Sequence, residues 1–144
     1  MDQLAETTPA TGQCLCGKVR FRAQEASVHT GACHCGMCVK WGGGPLLAVD
    51  CGTRVSFDGE QHITRFQSSE WAERGFCSEC GTHLFYHLKG AEQYMLPAGL
   101  FDDQSKLQMD HQIFIDKKPA HYSFANQTQN MTEAEVFAKY APPE

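Results

Sequence analysis

CLC at residues 14–16 and CSEC at residues 77–80 decide the fold, because each stretch places two cysteines close together in the chain. In an extended segment, side chains at positions i and i+2 leave the same face about 6.6 Å apart. Cys14 and Cys16 can therefore both turn toward one metal ion. This spacing is shorter than the spacing usual in zinc fingers, so the pair alone is a less specific sign of a zinc site.

The second pair is Cys77 and Cys80, followed directly by Gly81. This two-residue spacing is typical of a zinc knuckle, and glycine tolerates the positive φ that closes such a turn. Together the two pairs supply four thiolates, which is the complement of a closed tetrahedral structural zinc site. The alternative is that Cys14 and Cys16 are buried side chains and that the knuckle is accidental.

A third cluster, CHCGMC at residues 33–38, offers three thiolates from Cys33, Cys35 and Cys38. Three protein ligands and one open position are typical of a zinc ion that binds water or substrate. The alternative is that His34, Cys51 or a distant histidine closes the site and makes it structural. Disulfides within the cluster are disfavoured, because they would close very small, strained loops.

Size and charge exclude several classes of protein. The chain has 144 residues, close to the usual size of one domain, and a formal net charge of -5. Its longest basic run is Lys117-Lys118. Such a surface repels polyanions, so neither nucleic acid nor an anionic membrane is expected as a partner.

The first 13 residues, MDQLAETTPATGQ, contain no basic segment followed by an apolar run, so we expect no secretory signal or transit peptide. No stretch approaches the roughly 20 apolar residues of a membrane span. We therefore expect a cytoplasmic protein. Thiols stay reduced in that compartment, which favours metal ligation over disulfides for the eight cysteines.

The order of turn residues and short β-rich runs predicts a mainly β, mostly antiparallel fold. Residues 1–11 are polar and are expected to form a flexible lead-in, with one domain over residues 12–144. One helix is predicted near the end, because Thr132-Glu133-Ala134-Glu135 has the form of a capping box. Pro142-Pro143 is expected to end this helix.

Three histidines and the remaining cysteine are further candidate ligands. Alternation points His34 away from the ion that Cys33 and Cys35 would share, so we expect it beside the site or facing solvent. His83 and His87 lie four apart in a predicted strand and are expected at the edge of the sheet. Cys51 has no partner in sequence and is expected to be a small buried side chain.

Three residues near the clusters are candidate substrate contacts. Lys40 could bind a carboxylate, and Trp41 could give apolar cover beside a glycine-rich segment. The alternative is an exposed loop with a packed tryptophan. Arg74 precedes the knuckle and is either an anion contact or a surface charge.

The chain resembles the glutathione-dependent formaldehyde-activating enzyme (GFA) family, which also contains centromere protein V. The segments that carry the resemblance are GQCLCG at 12–17, CHCGMC at 33–38, RGFCSECGT at 74–82, GLFD at 99–102 and HQIFI at 111–115. The resemblance implies a Mss4-like β fold with two zinc ions. One would be structural, at Cys14, Cys16, Cys77 and Cys80, and the other catalytic, at Cys33, Cys35 and Cys38.

The expected function is that of a zinc-dependent carbon–sulfur lyase acting on thiol–carbonyl adducts, of the S-(hydroxymethyl)glutathione synthase type. Its partners would be a small thiol such as glutathione and a small aldehyde. The alternative is a non-catalytic, zinc-stabilised Mss4-like module that binds a protein partner. The two hypotheses differ in whether the second zinc has an exchangeable ligand.

Overall fold

The structure, a computed structural model, describes residues 6–140 of the chain, and within that range it contains eleven strands and two α-helices. The strands are β1 (Thr7–Gln13), β2 (Arg20–Ser27), β3 (His29–Cys33), β4 (Leu46–Asp50), β5 (Val55–Asp58), β6 (Ile63–Phe66), β7 (Ala72–Cys77), β8 (His83–Leu88), β9 (Gln93–Pro97), β10 (Gln108–Ile113) and β11 (Gln129–Met131). The helices are α1 (Gly36–Gly42) and α2 (Glu133–Tyr140). Short 3₁₀ turns cover Glu60–His62, Ala98–Leu100 and Ile115–Lys117.

The strands form two sheets. The smaller sheet has the order β1-β2-β5, and the larger has the order β11-β10-β3-β4-β9-β8-β7-β6. All pairings are antiparallel except those of β10, which runs parallel to both β3 and β11. The prediction of a mainly β, mostly antiparallel fold with a short C-terminal helix is confirmed, and the two parallel pairings were not predicted.

Aromatic side chains fill the space between the two sheets. Phe57 of the smaller sheet packs against Phe85 of the larger one, with ring centroids 5.3 Å apart. Phe21 of the smaller sheet meets Phe101, which follows the 3₁₀ turn at Ala98–Leu100, with ring centroids 5.1 Å apart. Phe21 and Phe85 are almost completely buried. Because burying one such side chain stabilises a fold by about 1.5–3 kcal/mol, this layer is a main source of cohesion between the sheets.

The capping box at the start of α2 is confirmed. The Thr132 hydroxyl accepts a hydrogen bond from the Glu135 backbone N–H at 3.2 Å, and the Glu135 carboxylate accepts one from the Thr132 N–H at 2.8 Å. These reciprocal bonds satisfy two backbone donors at the helix start. The predicted stop at Pro142-Pro143 lies outside the described residues. Neither helix has the length and apolar character needed to cross a membrane, as far as residues 6–140 are concerned.

Regular structure begins earlier than the sequence indicates. β1 starts at Thr7 and pairs with β2, with Thr7 opposite Ser27 and Gln13 opposite Arg20. Strand β1 therefore begins inside the segment predicted as a lead-in, residues 1–11, of which residues 1–5 lie outside the described range. The polar composition of β1 gave no strand signal in the sequence, because a strand at the edge of an antiparallel sheet can expose one face to water.

Candidate metal centre

Cys14 and Cys16 lie in the turn that joins β1 to β2, and not within a strand as the spacing suggested. Gly17 closes the turn with a φ of 81°, and its N–H donates to the Cys14 carbonyl at 3.1 Å. The turn brings the two sulfur atoms to 3.6 Å. Leu15, between them, points outward and is 86% exposed.

Cys77 ends β7, and the knuckle that follows it has the expected geometry. Gly81 has a φ of 79°, and its N–H donates to the Cys77 carbonyl at 2.8 Å. Thr82 connects this turn to the first one, because its hydroxyl accepts a hydrogen bond from the Leu15 N–H at 3.0 Å. A hydrogen bond from the same hydroxyl lowers the pKa of Cys80 to about 5.

The four sulfur atoms of these turns fit a tetrahedral ion. Zinc–sulfur bonds of about 2.3 Å place tetrahedral sulfurs about 3.8 Å apart. The distance from Cys16 Sγ to Cys77 Sγ is 3.8 Å, and all four sulfurs lie within 4.8 Å of one another. This cluster of Cys14, Cys16, Cys77 and Cys80, the four-cysteine cluster, could therefore hold a metal ion that ties the β1–β2 turn to the β7–β8 turn.

The other predicted group forms the three-cysteine cluster of Cys33, Cys35 and Cys38, whose sulfurs also lie within 4.8 Å of one another. Cys33 ends β3, and Cys35 is the N-cap of α1, where its sulfur accepts a hydrogen bond from the Cys38 N–H at 3.4 Å. Within residues 6–140, no further Cys, His, Asp or Glu joins this set. A tetrahedral ion held there would keep one position for a ligand from outside.

Helix α1 itself was not predicted. The sequence indicated only a glycine-rich segment beside Trp41, with an exposed loop as the alternative, whereas the helix extends through Gly42 and is capped by Gly43 with a φ of 86°. Lys40 and Trp41 are therefore helical residues, with Lys40 exposed and Trp41 half-buried. The helix was not predicted because it has only two turns and begins inside a cysteine motif. A segment of this length contains too few apolar residues to show a helical period.

Crowding separates the acidities of the clustered thiols. Hydrogen bonds with Cys33 and Cys38 lower the pKa of Cys35 to about 2, and the positive charge of Arg74 adds to this lowering. The shared hydrogen bond with Cys35 raises the pKa of Cys33 in turn. The mutual hydrogen bonds therefore make the three thiols unequal in acidity, with the pKa of Cys35 shifted down and that of Cys33 shifted up.

His34 is buried beside the three-cysteine cluster with both ring nitrogens engaged elsewhere. Its Nδ1 accepts a hydrogen bond from the Tyr122 hydroxyl at 2.8 Å, and its Nε2 donates to Gln112 Oε1 at 2.7 Å. His34 is 1% exposed, so the solvent-facing alternative is wrong. Its partners lie about 80 residues further along the chain, and nothing in the sequence identified them.

The remaining candidate ligands lie elsewhere. Cys51 is completely buried, as predicted, and burial raises the pKa of its thiol to about 12. His83 stacks on Trp41 with centroids 3.9 Å apart, whereas His87 stacks on Tyr94 at 4.3 Å. A bulge opposite Gly75 shifts the register of β8 between these histidines, so they do not form a pair.

Arg74 is buried against the three-cysteine cluster, and the surface-charge alternative is wrong. Arg74 is only 4% exposed, and its Nη1 and Nη2 atoms both lie 3.7 Å from Cys38 Sγ. Trp41 and Tyr86 lie against the guanidinium, with ring centroids 5.1 and 4.9 Å from its central carbon. The sequence placed Arg74 near the knuckle but gave no sign that it contacts the other cluster.

An open depression of about 880 Å³ lies on the smaller sheet, lined by residues that include Arg22, Arg54 and Asp102. None of its lining residues is a cysteine or a histidine. The sulfur clusters are the chemically distinctive feature of the fold, and this depression does not coincide with either of them.

Residues 9–117, more than half of the chain, match the family described as glutathione-dependent formaldehyde-activating enzyme. The chain belongs to this family, and both cysteine clusters lie within the matched residues.

Two individual proteins are similar to this chain. An uncharacterized lyase of Schizosaccharomyces pombe is 35% identical over 126 residues, which cover 87% of this chain and 92% of the relative. The crystal structure of a Rhodobacter sphaeroides protein superposes with a TM-score of 0.53 at 18% identity, over 64% of this chain and 87% of that one. The second likeness supports the fold alone.

Proposed function

We propose that this protein is a zinc-dependent carbon–sulfur lyase that acts on adducts of a small thiol and a small aldehyde. In this proposal the four-cysteine cluster holds a structural zinc ion and the three-cysteine cluster holds a catalytic one. The family, whose description names glutathione and formaldehyde, supports this substrate class. The lyase name of the Schizosaccharomyces pombe relative supports the reaction type.

One observation carries the proposal. The three sulfurs of Cys33, Cys35 and Cys38 converge within 4.8 Å, and the described part of the chain adds no fourth Cys, His, Asp or Glu to them. His34 is the nearest candidate in sequence, but both of its ring nitrogens are hydrogen-bonded to other partners. Three protein donors and one open position are typical of catalytic zinc, whereas structural zinc has four protein donors.

A zinc ion bound there would supply Lewis acidity, which favours the thiolate form of a thiol and polarises a carbonyl group. The protein's own residues set the direction of approach. Cys33 and Cys38 are buried, whereas Cys35 is half-buried and Met37 is 52% exposed. A substrate therefore reaches the cluster past Cys35 and Met37.

The reaction needs no cofactor beyond the metal. In the synthetic direction the thiol sulfur bonds to the carbonyl carbon, and the thiol proton ends on the former carbonyl oxygen. In the reverse direction the carbon–sulfur bond breaks, the hydroxyl proton leaves, and the thiol and the aldehyde are regenerated. Holding both reactants in one orientation accelerates either direction, because a bimolecular step becomes effectively unimolecular.

The test is the rate at which glutathione and formaldehyde equilibrate with their adduct, measured by exchange NMR with and without the zinc-loaded protein. We expect acceleration above the spontaneous rate, and its loss in Cys35→Ser. Serine is a preferred N-cap residue, so this variant retains the start of α1. Cys51→Ser is the matched control, since Cys51 lies in the core and outside both clusters.

Two outcomes would contradict the proposal. If the protein binds thiols but accelerates no reaction for a panel of aldehydes, it is a ligand-binding protein. If it binds no thiol at all, the alternative of a zinc-stabilised binding module is favoured instead. Equal activity of Cys35→Ser and Cys51→Ser would show that the three-cysteine cluster is not the catalytic centre.

A further inference from the structure

Arg74 is a buried cation whose only anionic neighbours, among residues 6–140, are sulfur atoms. Its Nη1 and Nη2 atoms are both 3.7 Å from Cys38 Sγ, and no described carboxylate forms an ion pair with it. Its Nε atom is also buried and has no hydrogen-bond partner. A charge buried in this way destabilises a protein unless an opposite charge compensates it. The neighbouring sulfurs are the group that can provide this compensation.

The surroundings of Arg74 hold the guanidinium in one orientation. The rings of Trp41 and Tyr86 lie against it, and Trp41 is itself stacked on His83 with an interplanar angle of 7°. In the β ladder Arg74 is directly opposite Tyr86, one position before the bulge that follows Gly75. Cation–π contacts of this kind fix a planar guanidinium more firmly than an ammonium group. The two N–H groups are thereby aimed at Cys38.

We propose that Arg74 is the internal counter-cation of the three-cysteine cluster and that it makes the cluster select an anionic sulfur ligand. It acts through Cys38 and the local charge, so it is a positioning residue. The inference rests on the proposed metal site, and it does not depend on which reaction the protein catalyses.

Charge counting gives the physical reason. A divalent ion with three thiolates carries a net charge of -1, and a fourth thiolate would bring it to -2. Accumulating charge in a buried site is unfavourable, and a cation within a few ångströms offsets much of the effect. A neutral ligand such as water or imidazole does not add charge and gains far less from Arg74. The guanidinium therefore raises the affinity of the site for a thiolate relative to its affinity for a neutral ligand.

The experiment uses cobalt-loaded protein, whose thiolate charge-transfer and d–d absorption reports the ligands. The protein is titrated with 2-mercaptoethanol, which binds as a thiolate, and separately with imidazole, which binds as a neutral ligand. Arg74→Met should weaken thiol binding about tenfold or more, as expected for loss of a charge-assisted interaction, while imidazole binding changes less than about twofold. The charge-transfer band should also move to lower energy, because Cys38 loses its hydrogen bonds.

The matched control is Arg65→Met on the adjacent strand. Arg65 also lies over an aromatic ring, that of Phe85, but it pairs with Glu73 and contacts no sulfur. This variant should leave both affinities and the spectrum unchanged. Arg74→Lys keeps the charge without the planar fork and should recover part of the thiol preference. Arg74→Gln keeps polar donors without the charge and should lose it as Arg74→Met does, which provides a second test if the methionine variant does not fold.

Equal weakening of both ligands in the folded Arg74 variants would overturn the inference, because it would show a purely structural role. Unchanged thiol affinity would overturn it as well. If the wild-type protein cannot load cobalt at the three-cysteine cluster, the inference and the proposed metal site both fail. Thiol selectivity that depends on Arg74 without any acceleration of adduct exchange would support the inference while overturning the proposed lyase function.

Discussion

Arg74 and Cys77 lie three residues apart on β7, and each contacts a different cysteine cluster. Arg74 reaches Cys38 of the three-cysteine cluster, whereas the sulfur of Cys77 lies 3.8 Å from that of Cys16 in the four-cysteine cluster. One strand therefore links the two candidate metal sites. Any change that displaces β7 would affect both of them, which makes the choice of variants important in the following tests.

We predict two zinc ions per chain, because the sulfurs divide into a set of four and a set of three. Elemental analysis of protein purified without added metal should give a ratio close to two, with the second ion more easily removed by a chelator. The three-cysteine site has fewer protein donors, so its ion should leave first. A ratio of one or less that added zinc cannot raise would contradict the two-site interpretation.

We predict that the two clusters contribute differently to folding. Cys80→Ser should unfold or insolubilise the protein, because a closed thiolate site can contribute about 10 kcal/mol or more to folding and this one joins turns of the two sheets. Cys35→Ser should leave a folded protein with one zinc ion fewer. Circular dichroism and urea titration would measure both effects, and equal collapse of the two variants would show that both sites are structural.

We predict that Tyr122→Phe lowers the free energy of unfolding by about 1–3 kcal/mol. The substitution removes the hydroxyl that donates to Nδ1 of His34, and it leaves that buried nitrogen without a partner. The control is Ser123→Ala, an exposed change in the same segment, with an expected effect within about 0.5 kcal/mol. Urea unfolding of the zinc-loaded proteins provides the measurement, and equal stability of the two variants would refute the prediction.

We predict a pH-dependent contribution from His29, which lies at the start of β3. A hydrogen bond to Asp110 raises the pKa of His29 above its usual 6.5, and Glu6 adds to this effect. Burial opposes the shift in Asp110, but hydrogen bonds from His111 and His29 lower the pKa of that carboxyl overall. The charged pair is therefore complete above about pH 4, and its contribution is lost as the pH rises through the raised pKa of His29.

The melting temperatures of wild type and His29→Gln should accordingly differ most near pH 5.5. The difference should shrink as the pH rises through the raised pKa of His29, because above that pKa the histidine is uncharged in both the folded and the unfolded chain. His121→Gln, at an exposed position, serves as the control for the loss of one histidine. A difference that grows as the pH rises would contradict the sign of this argument.

We predict that Gly12→Ala destabilises the fold by about 1–3 kcal/mol. A methyl group at Gly12 would overlap the backbone oxygen of Leu100 and the ring of Phe21. The close approach reflects the bridge between Gly12 and Phe101, which joins β1 to the segment after the turn at Ala98–Leu100. Gly99→Ala is the matched control, because a methyl group there meets no atom within 4 Å. Thermal unfolding should separate the two variants clearly.

Short-range patterns in the sequence were sufficient for several features of this protein. The spacing of the cysteines separated four sulfurs from three, and the structure brings together those same sets. The capping box located the start of α2 at Thr132. Such features are readable because a turn, a knuckle or a helix cap is formed by neighbouring residues whose own chemistry fixes the geometry.

Other features depend on contacts between residues that are far apart in sequence. His34 meets Gln112 across 78 positions, and Arg74 meets Cys38 across 36. The parallel pairing of β3 with β10 produces the first contact, and the packing of α1 against β7 and β8 produces the second. A histidine or an arginine in sequence is compatible with a ligand, a surface charge or a buried partner. The burial and hydrogen bonding that distinguish these roles exist only once the strands have paired, because register brings distant side chains together.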